Sequence, residues 1–281
     1  MASSSSHRKK NTNKPMELKP NPRRGHLGFR SEKEKEWYED WFEQRTVVAE
    51  RASYIHEFAE FEFEFLLTFA RRVGWINFLK TNVGECNATI CREFIASLIE
   101  RPDYEYFAFV RGKEIPFTPY VLSNFLRIPV ISNYILPYSS PENAPDENVV
   151  YKYLTGTPKT NAKFKIQSTR LLPHMHTLWM VVCNSLYPTT HKNHIYFDEA
   201  LIVYNIAKDN NICLMRYLVK MIARPAGKLE GKETIKIGVL ITRYCAHFEV
   251  EVKDGDQYIT QLGPVTNSTI RRSQGQLHTR H

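Results

Sequence analysis

Apolar positions recur along most of this chain at the three-and-four spacing of helices, and one short stretch switches to the alternation of strands. Ser31 stands where an N-cap belongs, and Glu32 to Phe42 follows as a helix with Trp37 and Trp41 on one face. Phe58 to Arg72 carries both periods, since Phe61, Phe63 and Phe65 alternate while Phe58, Phe61, Phe65 and Phe69 fit a helical stripe. Helix is the expectation there. The run is poor in β-branched residues, and its acids come early and Arg71 and Arg72 late, as the helix dipole prefers. Ile90, Phe94, Ile95 and Leu98 give the next stripe, over about 87–99.

The pattern then changes. Tyr104 to Val110 is aromatic and β-branched, Gly112-Lys113 can turn, and Glu114 to Phe117 is extended, which predicts a small β-hairpin. Thr118-Pro119 reads as an N-cap with proline at the first helical position, and the helix it opens must stop before Pro129. Residues 132–167 hold four prolines and little periodicity, and are expected to form a long mobile loop or insertion with one helical turn near Val149 to Leu154. Helical stripes return at 168–187 around Trp179, then at Phe197 to Tyr204, Leu214 to Ile222 and Ile237 to Phe248. Asn210-Asn211 and Pro225-Ala226-Gly227 separate the last three. The fold class expected is mainly α with a small β-hairpin.

Charge refines the domain limits. The 281 residues carry a net +8, of which residues 1–30 supply +7 and residues 263–281 supply +3, leaving the body at −2. The first 30 residues are rich in Ser, Asn, Pro and Lys and too poor in large apolar side chains to offset the entropy of ordering. Both ends are therefore expected to be disordered basic tails, around one domain at 31–262. No apolar run approaches the roughly 18–20 residues that cross a bilayer, and Met1 to Lys10 lacks the apolar core of a signal peptide. The expectation is an intracellular protein with no membrane contact, the nucleus ahead of the cytoplasm. Five scattered cysteines without a CxxC pair read as free buried thiols.

Candidate chemistry is sparse. A two-metal nuclease needs converging carboxylates, but Asp103, Asp146 and Asp254 fall in apparent loops and Asp198 at a helix start. His174, His176, His191, His194, Cys183, Cys213, Cys245 and His247 lack the paired spacing of compact zinc sites. There is no G-x-S-x-G elbow, and Gly112-Lys113 lacks the flanking residues of a phosphate-binding loop. No enzyme activity, metal or cofactor is expected. The positive hint is basic: Arg8, Lys9, Lys10, Arg23 and Arg24 near the start, and Arg216, Lys220 and Arg224 along one helical face. That face reads first as solvated and second as a phosphate-contacting surface.

Several cassettes in order carry a resemblance: Val73-Gly74-Trp75, Cys91-Arg92-Glu93-Phe94, Val110-Arg111-Gly112-Lys113, Phe125-Leu126-Arg127-Ile128-Pro129, Leu186-Tyr187-Pro188-Thr189-Thr190-His191 and Leu240-Ile241-Thr242-Arg243-Tyr244-Cys245. Over roughly residues 47–250 the chain resembles the plant family called putative plant transposon protein domain. It departs from the family pattern at Ile95-Ala96-Ser97. The resemblance implies a transposable-element origin and no demonstrated transposase chemistry. The function expected is a non-catalytic interaction or scaffold domain that binds a protein partner or itself. The alternative is sequence-independent nucleic-acid binding through the basic tails and the Arg216-Lys220-Arg224 face.

Overall fold

The computed structural model describes residues 28–54, 64–102, 105–227 and 233–278. It is mainly helical, with three small antiparallel sheets. Helix α1 (Glu32–Trp41) starts where Ser31 accepts the Glu34 amide, and Trp37 and Trp41 lie 6.4 Å apart along it. Helix α2 (Glu64–Arg72) resolves the ambiguous phenylalanine run in favour of helix, with Phe69 buried against Trp75. Phe58, Phe61 and Phe63 lie outside the described residues. After α3 (Ile76–Thr81) and β1 (Cys86–Asn87), α4 (Ala88–Ala96) is capped by the Asn87 side chain, which accepts the Ile90 amide at 2.9 Å.

The expected hairpin is present and has a third strand. β2 (Ile99–Arg101), β3 (Glu105–Val110) and β4 (Lys113–Phe117) pair in that order. Its tight turn is Arg111-Gly112, one residue earlier than the sequence suggests, because Lys113 pairs with Val110. Both turn residues have positive φ, +49° and +83°, the twist that a two-residue hairpin requires. Thr118 then caps α5 (Pro119–Leu126), which Arg127 ends in the left-handed region, two residues before Pro129.

Two expectations need correction. The stretch 132–167 is not one long loop. It contains a full helix, α6 (Glu147–Thr155), capped by Asp146 and closed by left-handed Gly156, and then β5 (Ile166–Gln167). Local capping chemistry outweighs the prolines that flank it. Likewise residues 263–281 are not simply a tail, since α11 (Asn267–His278) packs on α7 and buries Ile270, while the Val265 amide bonds the Ala52 carbonyl at 2.8 Å. Val265 and Ile270, both fully buried, dock that otherwise polar segment. Arg30, also expected in a tail, stacks over Phe109 and bonds the Ser97 carbonyl. Residues 1–27 and 279–281 lie outside the described residues.

The C-terminal half follows its stripes. α7 (Pro173–Val181) runs into a π-helical turn, Val182–Leu186, that ends before Pro188. The stripe expected from residue 168 starts later, because Ser168–Arg170 forms a separate 3-10 turn. β6 (His194–Ile195), α8 (Phe197–Ala207), α9 (Leu214–Ala223), α10 (Gly238–His247) and β7 (Tyr258–Ile259) complete the chain. Trp179 is fully buried, and all five cysteines are buried free thiols. Phe94, Phe117, Tyr244 and Phe125 stack edge to face at 5.2–5.7 Å, binding α4, β4, α10 and α5 together.

Helix α10 has no cap of its own. Its N-terminal amides instead meet the fully buried carboxylate of Glu50, which accepts Leu240 N at 2.7 Å and Val239 N at 2.9 Å. Gly238 makes this approach possible, because a Cβ there would strike Cys86 Sγ and lie 2.8 Å from Val47 Cγ1. We expect Gly238→Ala to cost about 1–3 kcal/mol by overpacking in a denaturant titration. Burial pushes the Glu50 carboxyl up to about 7, despite the amides that favour its charge. A raised acid pKa means that the native state holds the proton more tightly. Glu50 should therefore withdraw stability, on the order of 3 kcal/mol, as pH rises from its unfolded value toward 7. Denaturant midpoints across that window should slope down in the wild type and flatten in Glu50→Gln.

Candidate functional site

Three features of the chain gather polar or charged groups: the Arg-Gly-Lys cassette, the Tyr-Pro-Thr-Thr-His cassette and the basic residues at α9. The first is a charged joint. Left-handed Arg111 directs its guanidinium inward, where it is 4% exposed and forks onto two carboxylates. It bonds Glu93 of α4 at 2.9 Å and Asp256 of the C-terminal segment at 2.6 Å, and also the Glu251 carbonyl. Asn87 and the Lys253 amide complete the shell around Asp256. Burial pushes the Asp256 carboxyl up, but these bonds outweigh it and hold the group down at about 2. Every charge in the joint is consumed by the fold.

The second cassette ends the α7 π-turn and walls a cleft of ≈ 200 Å³ shared with Glu199, Arg224, Glu233 and Lys236. Pro188 forbids further helix, Thr189 N bonds back to Cys183 O at 3.2 Å, and the Thr189 hydroxyl accepts the His191 amide. Lys236 lies 3.9 Å from the Tyr187 ring and donates to the Pro188 carbonyl, and burial lowers its pKa. Glu199 accepts the Tyr196 amide at 2.8 Å, closing the α8 N-terminus, and burial raises its pKa. The cleft therefore offers two cations, two carboxylates and hydroxyl groups, but Lys236 and Glu199 already hold backbone and Arg224 and Glu233 pair with each other.

Arg216 and Lys220 lie a turn apart on α9, Arg224 follows at its C-cap where the 3-10 turn Arg224–Gly227 begins, and each is engaged. Arg216 sits 5.7 Å from the Tyr134 ring, Lys220 donates to the Tyr138 carbonyl, and Arg224 pairs with Asp198 and Glu233. Burial lowers the Arg224 pKa, but the Asp198 bond prevails and raises it. Arg8, Lys9, Lys10, Arg23 and Arg24 lie outside the described residues. Among the described residues, no group of three or more His, Cys, Asp or Glu is placed to hold a metal ion. Burial pushes the fully enclosed Cys183 thiol up to about 12, against the lowering effect of Lys192, so it is no ready nucleophile.

Both cassettes fall within one longer likeness. Residues 71–251 match the family described as Putative plant retrotransposon-related domain. The chain belongs to that family. No curated protein and no solved structure matches it. The folded body of this retrotransposon-related domain extends past the matched region at both ends, since Glu50 and Asp256 complete joints begun inside it. No helix among the described residues is long and apolar enough to cross a membrane.

Sequence reasoning overlooked one more polar cleft, lined by Tyr151, Thr160, Asn161, Lys165, Gln167, Arg170 and His194. Its signal was available in composition. Residues 148–197 hold six Lys and Arg and no Asp or Glu.

For the Arg111 joint, the sign of the pH effect is opposite to that of Glu50. A depressed carboxyl pKa supplies stability above its unfolded value, and that stability is lost as pH falls from about 3.8 toward 2. Asp256→Asn should cost about 3 kcal/mol at neutral pH and flatten the acid limb below pH 4, as followed by circular dichroism.

Proposed function

We propose that this retrotransposon-derived domain is a non-catalytic interaction or scaffold module that works through protein contacts. The observation that carries the reading is an apolar surface beside the β1–β7 ribbon. Val83 is 53% exposed, Tyr258 48% and Leu262 64%. The Gly84 amide bonds the Gln261 side chain at 3.3 Å, which brings Val83 and Leu262 to the same edge. Exposed apolar side chains gathered at one place mark interaction surfaces more often than scattered ones do. The engagement of both cassettes in internal joints supports the same reading, because it leaves their charged groups as architecture.

The alternative, nucleic-acid contact through Arg216, Lys220 and Arg224 together with the basic N-terminal residues, has weaker support. The three helix cations already hold partners within the domain.

A second copy of the chain is the first partner to test. Sedimentation velocity over a range of concentrations should show self-association that persists without residues 1–27 and disappears in Val83→Asp/Leu262→Asp. A monomer at all concentrations, or an assembly that the double variant leaves intact, would contradict the reading for this surface.

A further inference from the structure

The cleft beside β5 and β6 has the make-up of an anion site, and the chain builds it by simple alternation. Phe164 and Ile166 point inward, Phe164 against Tyr151 and Phe197, while Lys165 and Gln167 between and after them point outward. The ribbon pairs Ile166 with buried Ile195 and Gln167 with His194, so His194 emerges on the same side as Gln167. The Ser168 amide bonds the Asn193 carbonyl at 2.9 Å, and the 3-10 turn that follows brings Arg170 to the rim. Buried Tyr151 of α6 closes the floor.

Charge distinguishes this cleft from the other basic features. Its lining holds Lys165, Arg170 and His194, with the Thr160 hydroxyl and the Asn161 and Gln167 amides, and no carboxylate. Neither Lys165 nor Arg170 makes an ion pair or side-chain hydrogen bond among the described residues. By contrast, Arg224 is neutralised by two acids and Lys159 by Glu147. A hollow that gathers cations without counter-ions raises local anion concentration, and a guanidinium beside an ammonium suits a phosphate's several oxygens. Its volume, ≈ 290 Å³, lies near the lower bound for ligand pockets and accommodates a phosphate with its attached sugar.

We propose that this cleft binds phosphate groups, through Lys165 and Arg170 as charge donors and His194, Thr160 and the two amides as orienting hydrogen-bond partners. The ligand chemistry is a phosphate group, supplied either by a polynucleotide backbone or by a free nucleotide or inorganic phosphate. The inference stands apart from the protein-contact reading, since the two surfaces share no residue.

The test uses the full chain, a fluorescently labelled short oligo-uridylate and inorganic phosphate as separate probes. Three proteins are compared: wild type, Lys165→Glu/Arg170→Glu, and Lys33→Glu/Lys253→Glu, which carries the same net charge on exposed positions elsewhere. Fluorescence anisotropy should show oligonucleotide affinity reduced about tenfold or more in the cleft variant and less than about threefold in the control. The slope of log affinity against log salt should fall by about 2 in the cleft variant relative to wild type. Calorimetry with inorganic phosphate assigns the source. Heat that the cleft variant loses, with displacement of the oligonucleotide by phosphate, points to a free phosphate ligand; oligonucleotide binding that phosphate does not displace points to a polynucleotide. Equal binding by the cleft variant and the control overturns the proposal, and so does a wild-type chain that binds neither probe.

Discussion

A single guanidinium, that of Arg111, ties the hairpin turn to two parts of the chain that lie far from it in the fold's order, and the other contacts of that region gather around it. Burying it without partners would cost far more than a small domain can tolerate, so the fold must deliver carboxylates to it from both sides. Glu93 arrives on α4, 18 residues away, and Asp256 from the C-terminal segment, 145 residues away. The hairpin turn that carries Arg111 therefore cannot shift without breaking two charge-assisted contacts. Asn87, which caps α4 with one side-chain atom and bonds Asp256 with another, couples the helix start to the same joint. A local turn thereby sets a long-range arrangement.

Glu50 does the same for α10 by a different route. Helix starts usually use the residue just before them, but here the preceding residue is an isoleucine in the left-handed region, without a side-chain acceptor. A carboxylate from 190 residues earlier fills that role, and it reaches the amides only because Gly238 leaves room. Both joints bind segments outside the matched region to the region itself. The membership of the family thus describes the central part of a larger cooperative body, with α1 and α11 packed on it.

Local signals were legible where they were complete within a few residues. Ser31, Thr118-Pro119, Pro129 and Pro188 mark helix limits, and the stripes around Trp179, Ala200, Leu218 and Tyr244 mark buried faces that the structure confirms. The turn expected near Val149 to Leu154 is part of the longer helix α6, which Asp146 and Gly156 bracket between the flanking prolines. The hairpin turn lies one residue earlier than Gly112-Lys113 suggests, because Arg111 takes a positive φ that is unusual for a long side chain and is held by its two ion pairs. The candidate basic face illustrates the limit for function: spacing sets Arg216, Lys220 and Arg224 four residues apart, but only packing brings Tyr134, Tyr138 and Asp198 to them.

By itself, then, the sequence determined the mainly helical class, the hairpin, the buried free thiols and the transposon lineage, because periodicity, caps and ordered short cassettes are properties of neighbouring residues. Which charges are architecture and which face solvent was decided only by the tertiary structure. Arg111 and Arg170 are the same residue type in the same chain, yet one is locked between two acids and the other lines a cleft without any. The difference arises from partners distant in sequence, and electrostatic neutralisation depends on distance in space.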